Sequence, residues 1–182
     1  GPEGMVTLGS VGTDEWALAE QARAGSPGFA LTLGNYSLDA ANGALLTPWN
    51  RSFNNINLAN ALIGFAPEVA IPEATKSRLV AEARFIRGAL YFDLVNLYGK
   101  FWGDGDNNAN PGVPLILTPT AGISESDYVS RNSVAQVYAK VIEDLTRAES
   151  LLPTSNTIYA SKGAAAAILS RIALIQGDYA AA

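Results

Sequence analysis

The sequence predicts an all-α fold of antiparallel helix pairs joined by long irregular loops, and three observations carry that expectation. Leu79, Ala83, Ile86, Leu90, Leu94 and Leu97 recur at steps of three and four, the period of one helix face. Ser133 and Gln136 stand three apart ahead of a second periodic run, the pattern of a capping box. Gly177 follows a third run and supplies the left-handed residue on which helices end.

The elements follow in order. Residues 1–46 are rich in Gly, Ser, Thr and Asn and read as a loop-rich lead-in, with one short helix that Thr13 caps, Asp14 and Glu15 favour and Gly25 ends. Residues 47–99 read as the first helix pair. Thr47 is expected to cap its first helix and Pro48 to occupy the first helical position, with Trp49, Phe53, Ile56 and Ile63 on the core face and Asn57 and Asn60 on or beside it.

The second helix runs from about Glu73 to Tyr98, and its half from Leu90 to Tyr98 is apolar nearly all round, which requires neighbours on more than one side. Arg84, Arg87 and Asp93 interrupt it. Buried charges need partners, so these three are expected to pair with one another or with adjacent helices. Residues 100–132 form a long loop whose Val113-Pro114-Leu115-Ile116-Leu117 stretch is extended.

Residues 133–182 read as a second helix pair and the start of a further helix. In its first helix Val134, Tyr138, Val141, Leu145, Ala148 and Leu152 form the core face, Pro153 closes it, and Gln136, Lys140, Glu143, Asp144 and Arg147 are expected to be solvated. The last helix spans Ser161 to Gln176. There Ala164 to Ala167 allow close approach of a partner, and Ile168, Leu169, Ile172 and Ile175 are expected to fill the core. Asp178 then caps a helix of which only one turn is present, so the chain is expected to be one fragment of a larger helical domain, cut within an element.

Composition narrows the chemistry. With 48% hydrophobic and 16% charged residues the chain can bury a core at its length of 182 residues. It contains no Cys and no His, which removes thiolate and imidazole as nucleophiles, bases and metal ligands. The net charge of −5 and the lack of basic clusters argue against a nucleic-acid partner. No apolar run reaches the roughly 20 residues of a membrane-spanning helix.

The loop Lys100-Phe-Trp-Gly-Asp-Gly-Asp-Asn-Asn-Ala-Asn-Pro-Gly112 is the densest cluster of ligand-capable groups. A neutral sugar is held by an apolar face against its C–H groups and by amides or carboxylates on its hydroxyls, and Trp102 with Asp104, Asp106, Asn107 and Asn108 offers both. The alternative is that Trp102 tucks against its own helix while the Asp and Asn residues make turns. Oxygen donors alternate at Asp104, Asp106, Asn108 and Asn110 as in a calcium loop, but Ala109 stands where Gly is needed and Leu115 where the bidentate Glu is needed, so no metal and no cofactor is expected. Nor is catalysis expected. Asp104 and Asp106 in a Gly/Asn loop would remain ionised, whereas glycoside hydrolysis needs one carboxyl held protonated.

Helix pairs of this size, with a Gly-Asp-Tyr step between helices, are similar to tetratricopeptide repeats. Three segments in fixed order are more specific: Glu82-Ala-Arg-Phe-Ile-Arg-Gly-Ala-Leu-Tyr-Phe-Asp-Leu-Val-Asn-Leu-Tyr-Gly99, then Ser133-Val-Ala-Gln-Val-Tyr138 with Ile142-Glu-Asp-Leu145, then Lys162-Gly-Ala-Ala165 through Gly177-Asp-Tyr179. Together they resemble the SusD/RagB family over roughly residues 47–182. The resemblance implies a SusD-like α-α superhelix and a non-enzymatic surface lipoprotein of the outer membrane. It further implies binding of oligo- or polysaccharide and partnership with a SusC-like TonB-dependent transporter. The alternative role is a repeat scaffold that docks the transporter or a peptide. The anchoring cysteine of that family is absent, and the family passes from Tyr-Gly directly to Val-Pro-Leu, so the Lys100–Gly112 loop departs from its pattern.

Overall fold

A computed structural model of the chain describes residues 43–122, 125 and 128–182. The short helix expected between Thr13 and Gly25 lies outside the described residues. The chain divides into two units at Ser52/Phe53, and the packing described below lies within the second.

Among the described residues there are four α-helices: α1 (Gly43–Phe65), α2 (Glu73–Tyr98), α3 (Val134–Leu151) and α4 (Lys162–Gln176), with a 3-10 turn at Ala66–Glu68. The protein is all-α, built as antiparallel helix pairs. α2 begins and ends where its sequence period does. α1 instead begins at Gly43, so Thr47 is not its cap and Pro48 lies inside the helix. Leu45 and Leu46 continue the helix N-terminally, and Pro48 in its second turn supplies no N–H to the helix ladder.

Packing follows the direction of the pairs. Phe53 meets the Tyr91 ring edge-on at 6.3 Å and the Asn60 amide oxygen accepts from Arg87 at 2.8 Å, so position numbers fall along α2 as they rise along α1. The same reversal holds between α2 and α3. Asp144 faces Arg84 and Arg87, Leu145 faces Gly88, and Tyr138 faces Phe92 and Asn96. Gly88 permits this approach, because a Cβ there would lie 3.0 Å from the Leu145 side chain. Ala81, Ala148, Leu152 and Ala165 close a small-residue core where α2, α3 and α4 converge, which is the close approach the alanines of α4 allow.

Three expectations about burial are corrected. Ile86 is 46% exposed, since the buried stripe of α2 runs through Ala83, Arg87, Gly88, Tyr91, Leu94 and Val95 and places Ile86 on the other side. Ile175 is exposed, off the α4 stripe of Ala165, Ile172 and Ala173. Asp144, read as solvated, is 0% exposed.

Arg84 and Arg87 are paired as buried charges must be. Arg87 donates from Nε to Asp144 Oδ2 at 2.7 Å and from Nη2 to Oδ1 at 2.8 Å, Arg84 donates to Oδ1 at 2.9 Å, and Lys140 lies 3.4 Å away. One carboxylate thus serves three cations, and among the described residues no buried side-chain polar atom lacks a partner. Asp93 has its carboxyl pushed above the usual range by burial, an effect that the nearby Arg171 guanidinium opposes. Arg171 also stands 5.5 Å over the Phe92 ring.

The caps predicted at Ser133 and Gly177 form. The Ser133 hydroxyl accepts from Gln136 N–H while the Gln136 side chain accepts from Ser133 N–H, and Gly177 takes φ 76° at the end of α4. After it Asp178 accepts from Ala181 N–H at 3.3 Å in a single turn.

Candidate functional site

The loop between α2 and α3 is closed at its base by two glycines. A Cβ on Gly99 would meet Val95 O at 2.7 Å and the Gly112 Cα at 3.3 Å, so the strands of the neck touch backbone to backbone. Lys100 N–H donates to Pro111 O at 3.1 Å just inside the neck. The far end rests on the start of α3: Val134 N–H donates to Asn110 O and Ala135 N–H to Asn107 O, both at 3.0 Å. With Ser133 serving Gln136 and Val137, each N–H of that first turn is satisfied, and the helix end is not open to an anion.

Within the loop the polar side chains bond first to one another. Asp104 accepts from Lys100 at 3.1 Å, Asp106 Oδ1 from Asn108 N–H at 2.9 Å, and Asn107 Oδ1 from Gly103 N–H at 2.9 Å. Asn110 donates its amide to Asp104 O. Gly103 and Gly105 have φ of 84° and 85°, the left-handed region that only glycine enters at no steric cost. The loop is therefore a preformed structure. Among the described residues these bonds leave Asp104 Oδ1, Asp106 Oδ2, Asn107 Nδ2 and Asn108 Oδ1 unused, three acceptors and one donor group on an exposed or half-buried rim.

Trp102 is half-buried, and its indole lies 4.8 Å from the Tyr138 ring, tilted by 48°. Its ring contact is therefore with α3. Tyr138 in turn meets Phe92 at 6.1 Å and donates to Asn96 Oδ1 at 3.0 Å. Burial pushes the Tyr138 phenol up to about 12, so it stays a neutral donor. The five residues expected to bind ligand thus lie on one preformed loop: Trp102 anchors it, and Asp104, Asp106, Asn107 and Asn108 form its rim.

An isolated bridge joins Pro111 to Ser133, and beyond Gly112 the chain runs extended and pairs with no strand among the described residues. Side chains hold it instead. The Tyr91 hydroxyl donates to Ile116 O at 2.9 Å and accepts from Ile116 N–H at 2.8 Å. Asn60 donates to Ile116 O and Thr118 O, and Asn57 exchanges two bonds with Thr120. A cleft of about 330 Å³ lies between this strap and α1, lined by Phe53, Asn54, Ile56 and Thr120 among others. On the other side of α1 an apolar groove of about 400 Å³ runs along α2, with Leu58, Leu62 and Ile86 in its walls.

Reasoning from sequence missed the strap's fastenings. Asn57 and Asn60 sat at the edge of an apolar face with no visible partner. Their spacing of three on a helix that carries Ile56 and Ala59 is the one signal that they point inward.

Stacked antiparallel helix pairs with a polar loop folded onto one helix start define a tetratricopeptide-like helical module. The chain belongs to the SusD-like family: residues 26–174 match a SusD-like model described as starch-binding associating with outer membrane. It is 29% identical over 164 residues to SusD-like protein P2 of Formosa agariphila, covering 89% of this chain and 30% of that protein. A SusD superfamily protein of Bacteroides thetaiotaomicron superposes with a TM-score of 0.72 at 30% identity, over 82% of this chain and 33% of that one. A laminarin-binding SusD-like protein superposes with a TM-score of 0.68 at 26% identity, over 82% of this chain and 30% of that one. The chain spans about a third of the length of these relatives.

Proposed function

We propose that this chain is part of a non-enzymatic glycan-capture protein, a piece of the N-terminal helical domain of a surface lipoprotein. It binds oligo- or polysaccharide at the outer membrane and hands it to a TonB-dependent transporter of the SusC type. The observation that carries the reading is membership in a family described as starch-binding, joined by a relative named for laminarin binding. The loop of Trp102, Asp104, Asp106, Asn107 and Asn108 supplies suitable groups: a rim of hydrogen-bonding side chains fixed before ligand arrives, which lowers the ordering cost of binding. No proton transfer is needed for capture, in keeping with a chain that has no histidine or cysteine.

Affinity gel electrophoresis in starch, laminarin and other polysaccharides tests this directly. Retardation by at least one glycan is expected, and free migration through a broad panel overturns the proposal. The second reading, a scaffold that docks the transporter or a peptide, is favoured by the apolar groove between α1 and α2, where Leu58 is 67% exposed. Co-purification of a transporter with no response to any glycan would select it.

A further inference from the structure

Phe101 neighbours Trp102 in sequence but not in circumstance. Phe101 is 73% exposed, while the Trp102 beside it is half-buried with its indole against Tyr138. The backbone under the ring is fixed on both sides: Lys100 N–H is bonded to Pro111 O, and Phe101 O accepts from Asp104 N–H at 3.2 Å. Only side-chain rotation is left to order, so a ligand that stacks there meets a small entropic cost.

The surroundings of the ring describe its ligand. The Lys100–Asp104 ion pair spans the same turn, and Gly103, Asp104, Gly105 and Asp106 are all exposed. A protein interface core is a contiguous apolar patch, whereas the exposed residues that share this turn with Phe101 are charged residues and glycines. A flat apolar face ringed by hydroxyls is the complementary shape.

We propose that Phe101, and not Trp102, is the stacking residue of this loop. Its ligand is a neutral pyranose unit with an uninterrupted C–H face, as in gluco- or galacto-configured polysaccharides, whose rim hydroxyls reach the Lys100–Asp104 pair. Trp102 is a positioning residue that fastens the loop to α3. The inference rests on the glycan-binding reading above.

The test compares the full-length wild-type protein with its Phe101→Ala, Phe101→Trp and Trp102→Ala variants in affinity gels containing laminarin, starch or xyloglucan. Phe101→Ala is expected to weaken retention about tenfold, the scale of one lost stacking contact, with the melting temperature unchanged. Phe101→Trp is expected to restore it. Trp102→Ala is expected to lower the melting temperature, which separates an anchor from a ligand contact. Equal retention of Phe101→Ala and wild type overturns the inference while the glycan reading stands, and it is the result a ring serving a protein partner would give. Failure of Phe101→Trp to exceed Phe101→Ala overturns it as well. A full-length wild-type protein that no polysaccharide retards overturns the glycan reading, and this inference with it.

Discussion

Asp144 and Asp104 carry the same carboxylate and each faces a basic side chain, yet they serve different ends. Asp144 is sealed between α2 and α3, where it receives three hydrogen bonds from two guanidiniums with an ammonium close by. Asp104 lies on an open loop, and its pair with Lys100 is more than half exposed at both ends. Away from water the partners of Asp144 are obligatory, because each unpaired charge would bear its full desolvation cost. In water the pair at Asp104 is nearly free to break, which leaves that carboxylate available to a ligand.

Removing each group measures the contrast. Asp144→Ala is expected to lose about 3–5 kcal/mol of stability in urea denaturation, since Arg84 and Arg87 are left buried without their acceptor. A loss under about 1 kcal/mol would mean that water reaches the α2–α3 interface and that the two regions do not differ in kind.

Tyr91→Phe probes an intermediate case, a neutral group that fastens the strap. It deletes both bonds to Ile116 and is expected to cost about 1–3 kcal/mol. Burial pushes the Tyr91 phenol up to about 12. The unfolded phenol ionises first, near 10, so stability is fully present below that value and is lost as pH rises toward 12. The phenylalanine variant should lose less stability over that alkaline window, with Tyr138 still contributing. An identical alkaline limb in both proteins would show that Tyr91 does not govern it.

Asp104→Asn closes the series at the small end. It should change stability by no more than about 0.5 kcal/mol, and a larger loss would mark the loop's ion pair as structural.

The same contrast explains what could be read in advance. The extent of α2, the capping box at Ser133 and the left-handed Gly177 were legible because each depends on residues within a few positions. Asp144 was misplaced because it sits in a run of charges with Lys140, Glu143 and Arg147. It also lies seven residues after Val137, three after Val141 and four before Ala148, on their buried face. Register decides burial, and composition of the run does not. Arg87 repeats the lesson between Ala83, Tyr91 and Leu94. At the loop, the residue types were legible, but the choice of which ring stays in solvent depends on Tyr138, 36 positions from Trp102 in the chain.

The two glycines at the neck bring the ends of the loop within one backbone contact of each other. Whatever lies between them can lengthen, shorten or change while the helices keep their places, at the expense of two carbonyls lent to the start of α3. A segment closed in this way is mechanically insulated from the frame that carries it.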